Sequence, residues 1–171
     1  MQMDMTVIGL DPHPRGAFGV LIAGGRVQPA HFVREPRQPG EFSLEALERL
    51  AQGAVVGLEL IGPILGEPGK DRPRLEATRR MGQELERRLR DVTKVWTYPG
   101  RWPTRRPDPR RGEGAWMHRL TGRSYSPPTE TVAYLYALWG AALPEELSQH
   151  HWDALGVATL AAREAGWLPP P

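Results

Sequence analysis

Residues 6–33 hold three strand-like runs joined by links too short for a helix, and this opening limits the fold more than any other feature. Thr6-Val-Ile-Gly-Leu-Asp11 is an apolar run ending in a carboxylate, and a Pro/Gly-rich turn leads to a second run, Ala17 to Ala23. Gly24-Gly25 is a strong hairpin signal, after which Arg26 to Val33 alternates well enough for a third strand antiparallel to the second. From Ser43 onward, helical and strand-like segments alternate. Ser43 can cap a short helix to Ala51 whose Leu44, Leu47 and Leu50 share a face, and Ala54–Ile61 reads as a fourth, buried strand. Arg74–Arg90 carries Leu75, Met81, Leu85 and Leu89 at roughly helical spacing, which predicts a long amphipathic helix with a basic outer face. Val92–Tyr98 predicts a fifth strand and the Pro/Arg stretch to Arg111 a loop, followed by helices at Gly114–Leu120, Pro128–Trp139 and Gln149–Glu164. No internal repeat is present. A hairpin-linked start followed by crossovers predicts an α/β fold: a mixed five-stranded sheet, the first three strands antiparallel and the rest parallel, flanked by helices.

A chain of 171 residues, 40% apolar with six Trp, suits one domain over residues 1–171 with a single packed core. It holds no apolar run long enough to span a bilayer and no signal segment ahead of the first strand, so the expectation is a soluble cytoplasmic protein without a membrane partner. With no Cys, disulfides and zinc–thiolate sites are excluded; any metal must be held by carboxylates, imidazoles or carbonyls, which suit magnesium and manganese.

Charge is unevenly spread. From Lys70 to Arg123 there are 16 Lys or Arg against 7 Asp or Glu, which leaves 6 against 13 elsewhere in the chain. Such a block suits a polyanion, because neutralising phosphates releases condensed counterions. Of the 22 basic residues only Lys70 and Lys94 are lysine, and the arginine fork can grip phosphate oxygens in pairs. Codon bias and solvated helix faces are the plainer explanation. The nucleic-acid reading assigns the path to Arg79, Arg80, Arg87 and Arg88 on the long helix, with Arg105, Arg106, Arg110, Arg111, Arg119 and Arg123 following. Trp96, Trp116 and Trp139 read as core, whereas Trp102, between Arg101 and Pro103, is a candidate for base stacking.

Asp11 and Glu59 each stand in a stretch apolar enough to be a central strand. Desolvating a carboxylate costs several kcal/mol, on the order that makes unpaired buried charges rare, so two on neighbouring strands suggest a shared cation. The alternatives are an Asp that starts a turn before Pro12 and a Glu paired with Arg or facing solvent. The third element is His150-His-Trp-Asp153-Ala-Leu, where His150 and Asp153, three apart, share a helix face. For Asp153 alone, an acid in the first turn complementing the helix dipole is the alternative.

Taken in order, these pieces resemble the RuvC-type Holliday-junction resolvases of the RNase H-like superfamily. The resemblance comprises Ile8-Gly-Leu-Asp11-Pro12, the strand carrying Glu59, Val95-Trp-Thr-Tyr-Pro99, Leu120-Thr-Gly122 followed by Thr129–Leu138, and His150-x-x-Asp153-Ala-Leu155. It implies that Asp11, Glu59 and Asp153 bind Mg²⁺ or Mn²⁺, two ions per site, with His150 in the remaining active-site position as a metal ligand or proton carrier. It further implies phosphodiester hydrolysis without a covalent intermediate. The chain departs from the family at His13, where Gly is usual, and at Leu60-Ile61-Gly62-Pro63, where resolvases carry a wedging aromatic. The lysines that the family places after its fifth strand are also missing. The first reading is therefore a structure-selective endodeoxyribonuclease acting as a homodimer on four-way or branched DNA. An RNase H-like nuclease on flaps, RNA or precursor rRNA, as in YqgF relatives, and a catalytically silent nucleic-acid-binding protein are the alternatives.

Overall fold

Two tight turns fold the first strands onto one another in the computed structural model, which describes residues 5–61, 69, 72–99, 115–122 and 128–171. Strand β1 (Val7–His13) turns at Pro14-Arg15 into β2 (Gly16–Ala23), and β2 turns at Gly24-Gly25 into β3 (Arg26–Val33). Both glycines take positive φ, +56° and +73°, a conformation in which a Cβ would be strained and which suits the twist of a two-residue hairpin. The pairings β1–β2 and β2–β3 are antiparallel throughout.

A short strand that the sequence pattern does not reveal, β4 (Glu41–Ser43), pairs parallel with β3, His31 opposite Glu41 and Val33 opposite Ser43. Three residues are too few for alternation to register, and the Pro/Gly-rich approach masks them. What holds the bend is side-chain chemistry: Glu41 Oε1 accepts from the backbone N–H groups of Arg37 and Gln38, both at 2.9 Å. The sheet therefore has six strands rather than the expected five.

Ser43 then caps α1 (Leu44–Ala51) by accepting from the Ala46 N–H at 3.1 Å. Its buried face is Leu44, Leu47 and Ala51; Leu50, expected on that face, is exposed because Ala51 stands closer to the stripe through 44 and 47. Strand β5 (Val55–Leu60) pairs parallel with β1, and α2 (Arg72–Arg90) crosses to β6 (Lys94–Pro99), parallel with β5. Helices α3 (Ala115–Thr121), α4 (Pro128–Trp139) and α5 (Gln149–Glu164) follow. Sheet order is β4-β3-β2-β1-β5-β6, the mixed arrangement with the antiparallel half first.

Strand alternation sorts side chains to two apolar layers. Ile8, Leu10, Val56, Leu58 and Phe32 pack with Leu44, Leu47, Met81, Leu85 and Leu89 of α1 and α2. Val7, Val20, Val55 and Tyr98 pack on the other face, with Trp116 of α3, Leu135 and Trp139 of α4, and Ala154, Val157, Ala158 and Ala161 of α5. Among the described residues no helix is long and apolar enough to cross a membrane.

Candidate active site

The close seat of α5 begins with two glycines. Gly9 of β1 and Gly57 of β5 are register partners. A Cβ on Gly9 would come within 1.9 Å of the Ala154 carbonyl oxygen, and one on Gly57 within 2.2 Å of the Val157 carbonyl oxygen. The helix thus lies against bare backbone of two adjacent strands. Two residues on from each glycine, on the same face, stand Asp11 and Glu59 at neighbouring strand ends. Four residues back along α5, from Ala154 and from Val157, stand His150 and Asp153. One helical turn separates the groups of each pair, so the first turn of α5 brings His150 towards Asp11 and carries Asp153 over the neighbouring strand.

His150 Nδ1 lies 2.9 Å from Asp11 Oδ2, and this hydrogen bond, ahead of the Asp11 and Asp153 charges, raises the His150 pKa above its ordinary value. Asp11 is 8% exposed, whereas the His150 side chain is 58% exposed, so the carboxylate is held in the fold while the imidazole reaches it from the rim. Glu59 Oε2 is shielded from solvent. Asp153 Oδ1 accepts from Gln149 Nε2 at 3.3 Å. Ser148 caps α5 through the His151 N–H at 3.3 Å and also meets His151 Nδ1 at 2.7 Å, while His151 Nε2 points to the Ala30 carbonyl at 3.2 Å. Accordingly His151 is turned away from the carboxylates, as its place in the helix requires.

Three carboxylates and one imidazole are donors that a hard divalent cation takes. Two acids at adjacent strand ends also repel unless a cation or hydrogen-bond donors intervene. The donor chemistry therefore fits. Among the described residues, however, no three His, Asp or Glu side chains form a ready-made cage: His150 closes directly on Asp11, and an ion bound by Asp11 Oδ2 takes the place of that hydrogen bond.

The basic residues divide. Arg88 is committed within the molecule, 3.2 Å from Glu48, 3.4 Å from Glu84 and 3.8 Å from Glu45, so it bridges α1 and α2 rather than facing outward. Arg80 and Arg87 are exposed on α2. Arg79 lines a cleft of about 300 Å³ with Leu60, Ile61, Gln83, Thr97 and Pro99, beyond the ends of β5 and β6. Arg119 pairs with Glu164 at the far end of α5 and lies over the Tyr98 ring, 5.5 Å from its centre. Arg105, Arg106, Arg110, Arg111, Arg123 and Trp102 lie outside the described residues.

Sequence reasoning missed Arg74, whose charge opposes protonation of both His13 and His150. It also missed Phe18, directly opposite Asp11 in register, a neighbour legible only once the length of the β1–β2 turn is known.

Over 98% of this chain and 100% of the other, the structure is similar to a Thermus thermophilus RuvC structure, at 16% identity and TM-score 0.55. It has the RuvC fold. A second RuvC structure, titled T. thermophilus RuvC in complex with Holliday junction substrate, matches over 98% of this chain and 99% of that one, at 14% identity and TM-score 0.51. No family model and no curated protein matches the sequence. The RuvC fold accounts for the mixed sheet, and it is the fold that the ordered pieces of the sequence imply.

Proposed function

We propose that this chain is a divalent-cation-dependent, structure-selective endodeoxyribonuclease that cuts four-way or otherwise branched DNA by phosphodiester hydrolysis, working as a homodimer. One observation carries the reading: on a RuvC-type sheet, Asp11 and Glu59 occupy adjacent strand ends beneath the helix turn that bears His150 and Asp153. Asp11, Glu59 and Asp153, with His150 beside them, would hold Mg²⁺ or Mn²⁺, two ions per site. Cations bound there supply charge neutralisation at the scissile phosphate and acidify the attacking water.

The chain's own residues do the rest. The backbone of Asp11 is held by its place on β1, antiparallel to β2 on one side and next to the parallel β5 on the other, so its carboxylate projects from a fixed point. His150, raised in basicity by Asp11, can take or return a proton at its exposed edge. Arg79, Arg80 and Arg87 supply cationic groups for the phosphates flanking the cut, contacts that position DNA without reading its sequence.

A second reading is a nuclease of the same chemistry on flaps, RNA or RNA–DNA hybrid. It is favoured by Leu60-Ile61, partly buried aliphatic residues that follow Glu59 where an aromatic could open a crossover. Labelled four-way junction, flap, duplex and hybrid, cut side by side in Mg²⁺ or Mn²⁺, separate the two. Paired symmetric nicks confined to the junction are expected. Equal cutting of every substrate would favour the second reading, and no cutting would reject both.

A further inference from the structure

The strand position of Asp11 belongs to a row that crosses the sheet. Phe18 of β2 is opposite Asp11, His31 of β3 opposite Phe18, and Glu41 of β4 opposite His31. Side chains at directly opposed positions project to one face, here the face covered by α5. Phe18 is sandwiched in that row. Its ring stacks on His31 at 4.6 Å and 8° on one side and on His150 at 4.8 Å and 11° on the other. His151 meets its edge at 5.4 Å and 78°.

The rear of this stack is tied down by hydrogen bonds whose directions can be worked out. The Arg15 N–H donates to His13 Nδ1 at 3.2 Å, so neutral His13 carries its proton on Nε2. That proton is donated to His31 Nε2 at 2.8 Å, which leaves the His31 proton on Nδ1, 3.5 Å from Glu41 Oε2. Arg15 closes the loop by donating to the same oxygen at 3.2 Å. His31 is therefore held at Nε2 by a hydrogen bond and faces Glu41 with Nδ1, and Phe18 has a wall behind it.

His150 needs such a wall. More than half exposed, it is anchored by one hydrogen bond, about which an imidazole can still swing and tilt. We propose that Phe18, backed by His31, is a positioning residue: its face fixes the plane of the His150 ring and so the direction in which Nδ1 faces the Asp11 carboxylate, whether a proton or a cation lies between them. This inference rests on the reading of His150 as an active-site group. A leucine at position 18 would fill space without offering a flat face, whereas a tyrosine would keep the face.

The test compares the full-length wild type with Phe18→Leu and Phe18→Tyr. In NMR spectra of the histidine ring protons, with the His150 signals assigned by their loss in His150→Gln, the ring-current shift of His150 should collapse in Phe18→Leu and persist in Phe18→Tyr. In cleavage of the best substrate, Phe18→Leu should lower kcat about 10- to 100-fold with KM within about two-fold, and Phe18→Tyr should restore kcat. Unchanged His150 shifts, wild-type kcat in Phe18→Leu, or equal loss in both variants would overturn the inference while leaving the nuclease reading intact. A wild type that cuts no substrate would instead overturn the nuclease reading, and the ring shifts would then decide whether Phe18 fixes the His150 ring.

Discussion

Asp11 and His150, 139 positions apart in sequence, meet through one hydrogen bond at the end of a buried strand. With Glu59 on the neighbouring strand end, the proposed site has an electrostatic consequence: a divalent cation bound there would offset the repulsion between its carboxylates. Mn²⁺ should raise Tm of the wild type, by about 2.7 kcal/mol of stability at 100-fold over Kd, and Glu59→Gln should abolish most of that rise. An equal rise in both proteins would place the ion elsewhere. Around the same row, burial first, then the charges of His31, Arg15, His150 and Arg74, push the His13 pKa down to about 4, and burial lowers His31 as well. Because these folded values lie below the ordinary 6.5, the unfolded chain binds more protons as pH drops below about 6.5, and stability is lost from there towards about pH 4. His150 is shifted the opposite way and offsets part of the loss. Denaturant midpoints at about pH 7 and about pH 5 should differ less in His13→Gln than in the wild type. Asp11, Glu59, His150 and Asp153 stand out as candidates because carboxylates in apolar strands and an i, i+3 pair leave a mark in one dimension. Phe18 and His31 do not, since their role depends on cross-strand register, and an aromatic or histidine in a strand reads as ordinary β composition.

At the scale of the element, α5 carries two of the four candidate side chains, and its height above the sheet is set by the absence of side chains at Gly9 and Gly57. Gly57→Val must lift the helix off the backbone of β5. The expected cost is about 1–3 kcal/mol or more by denaturant unfolding, together with a fall in activity larger than the stability loss explains. Wild-type stability and activity would show that α5 is free to shift. Most elements could be placed from hydrophobic period and caps, and α4 and α5 have the expected ends. The exceptions share a cause. Strand β4 is held by Glu41 accepting backbone N–H groups and by parallel pairing to β3, neither of which has a periodic signature. Leu50 was misplaced because a helix of two turns tolerates more than one choice of stripe, and packing against α2 selected Ala51.

At the scale of the whole molecule, part of the basic block among the described residues pairs internally. Arg72 pairs with Glu76, Arg88 with Glu45, Glu48 and Glu84, Arg90 with Glu86, and Arg119 with Glu164. Charge counting along the sequence cannot separate such internal partners from phosphate ligands, and Arg88 is the residue whose internal partners the structure adds. Replacing Arg80 and Arg87 together by Ala should weaken DNA binding and flatten its dependence on log salt by about 2. Arg88→Ala should instead lower Tm with the salt slope unchanged; a flattened slope in that variant would return Arg88 to the interface. The most direct test of the account is Asp11→Asn, assayed for junction cleavage and junction binding in the same Mg²⁺ or Mn²⁺ buffer as the wild type. Cleavage should vanish while binding is kept or strengthened, as loss of a reacting-centre carboxylate with the cationic surface intact requires. Undiminished cleavage by Asp11→Asn would contradict the account, because it would put the chemistry somewhere other than the ends of β1 and β5.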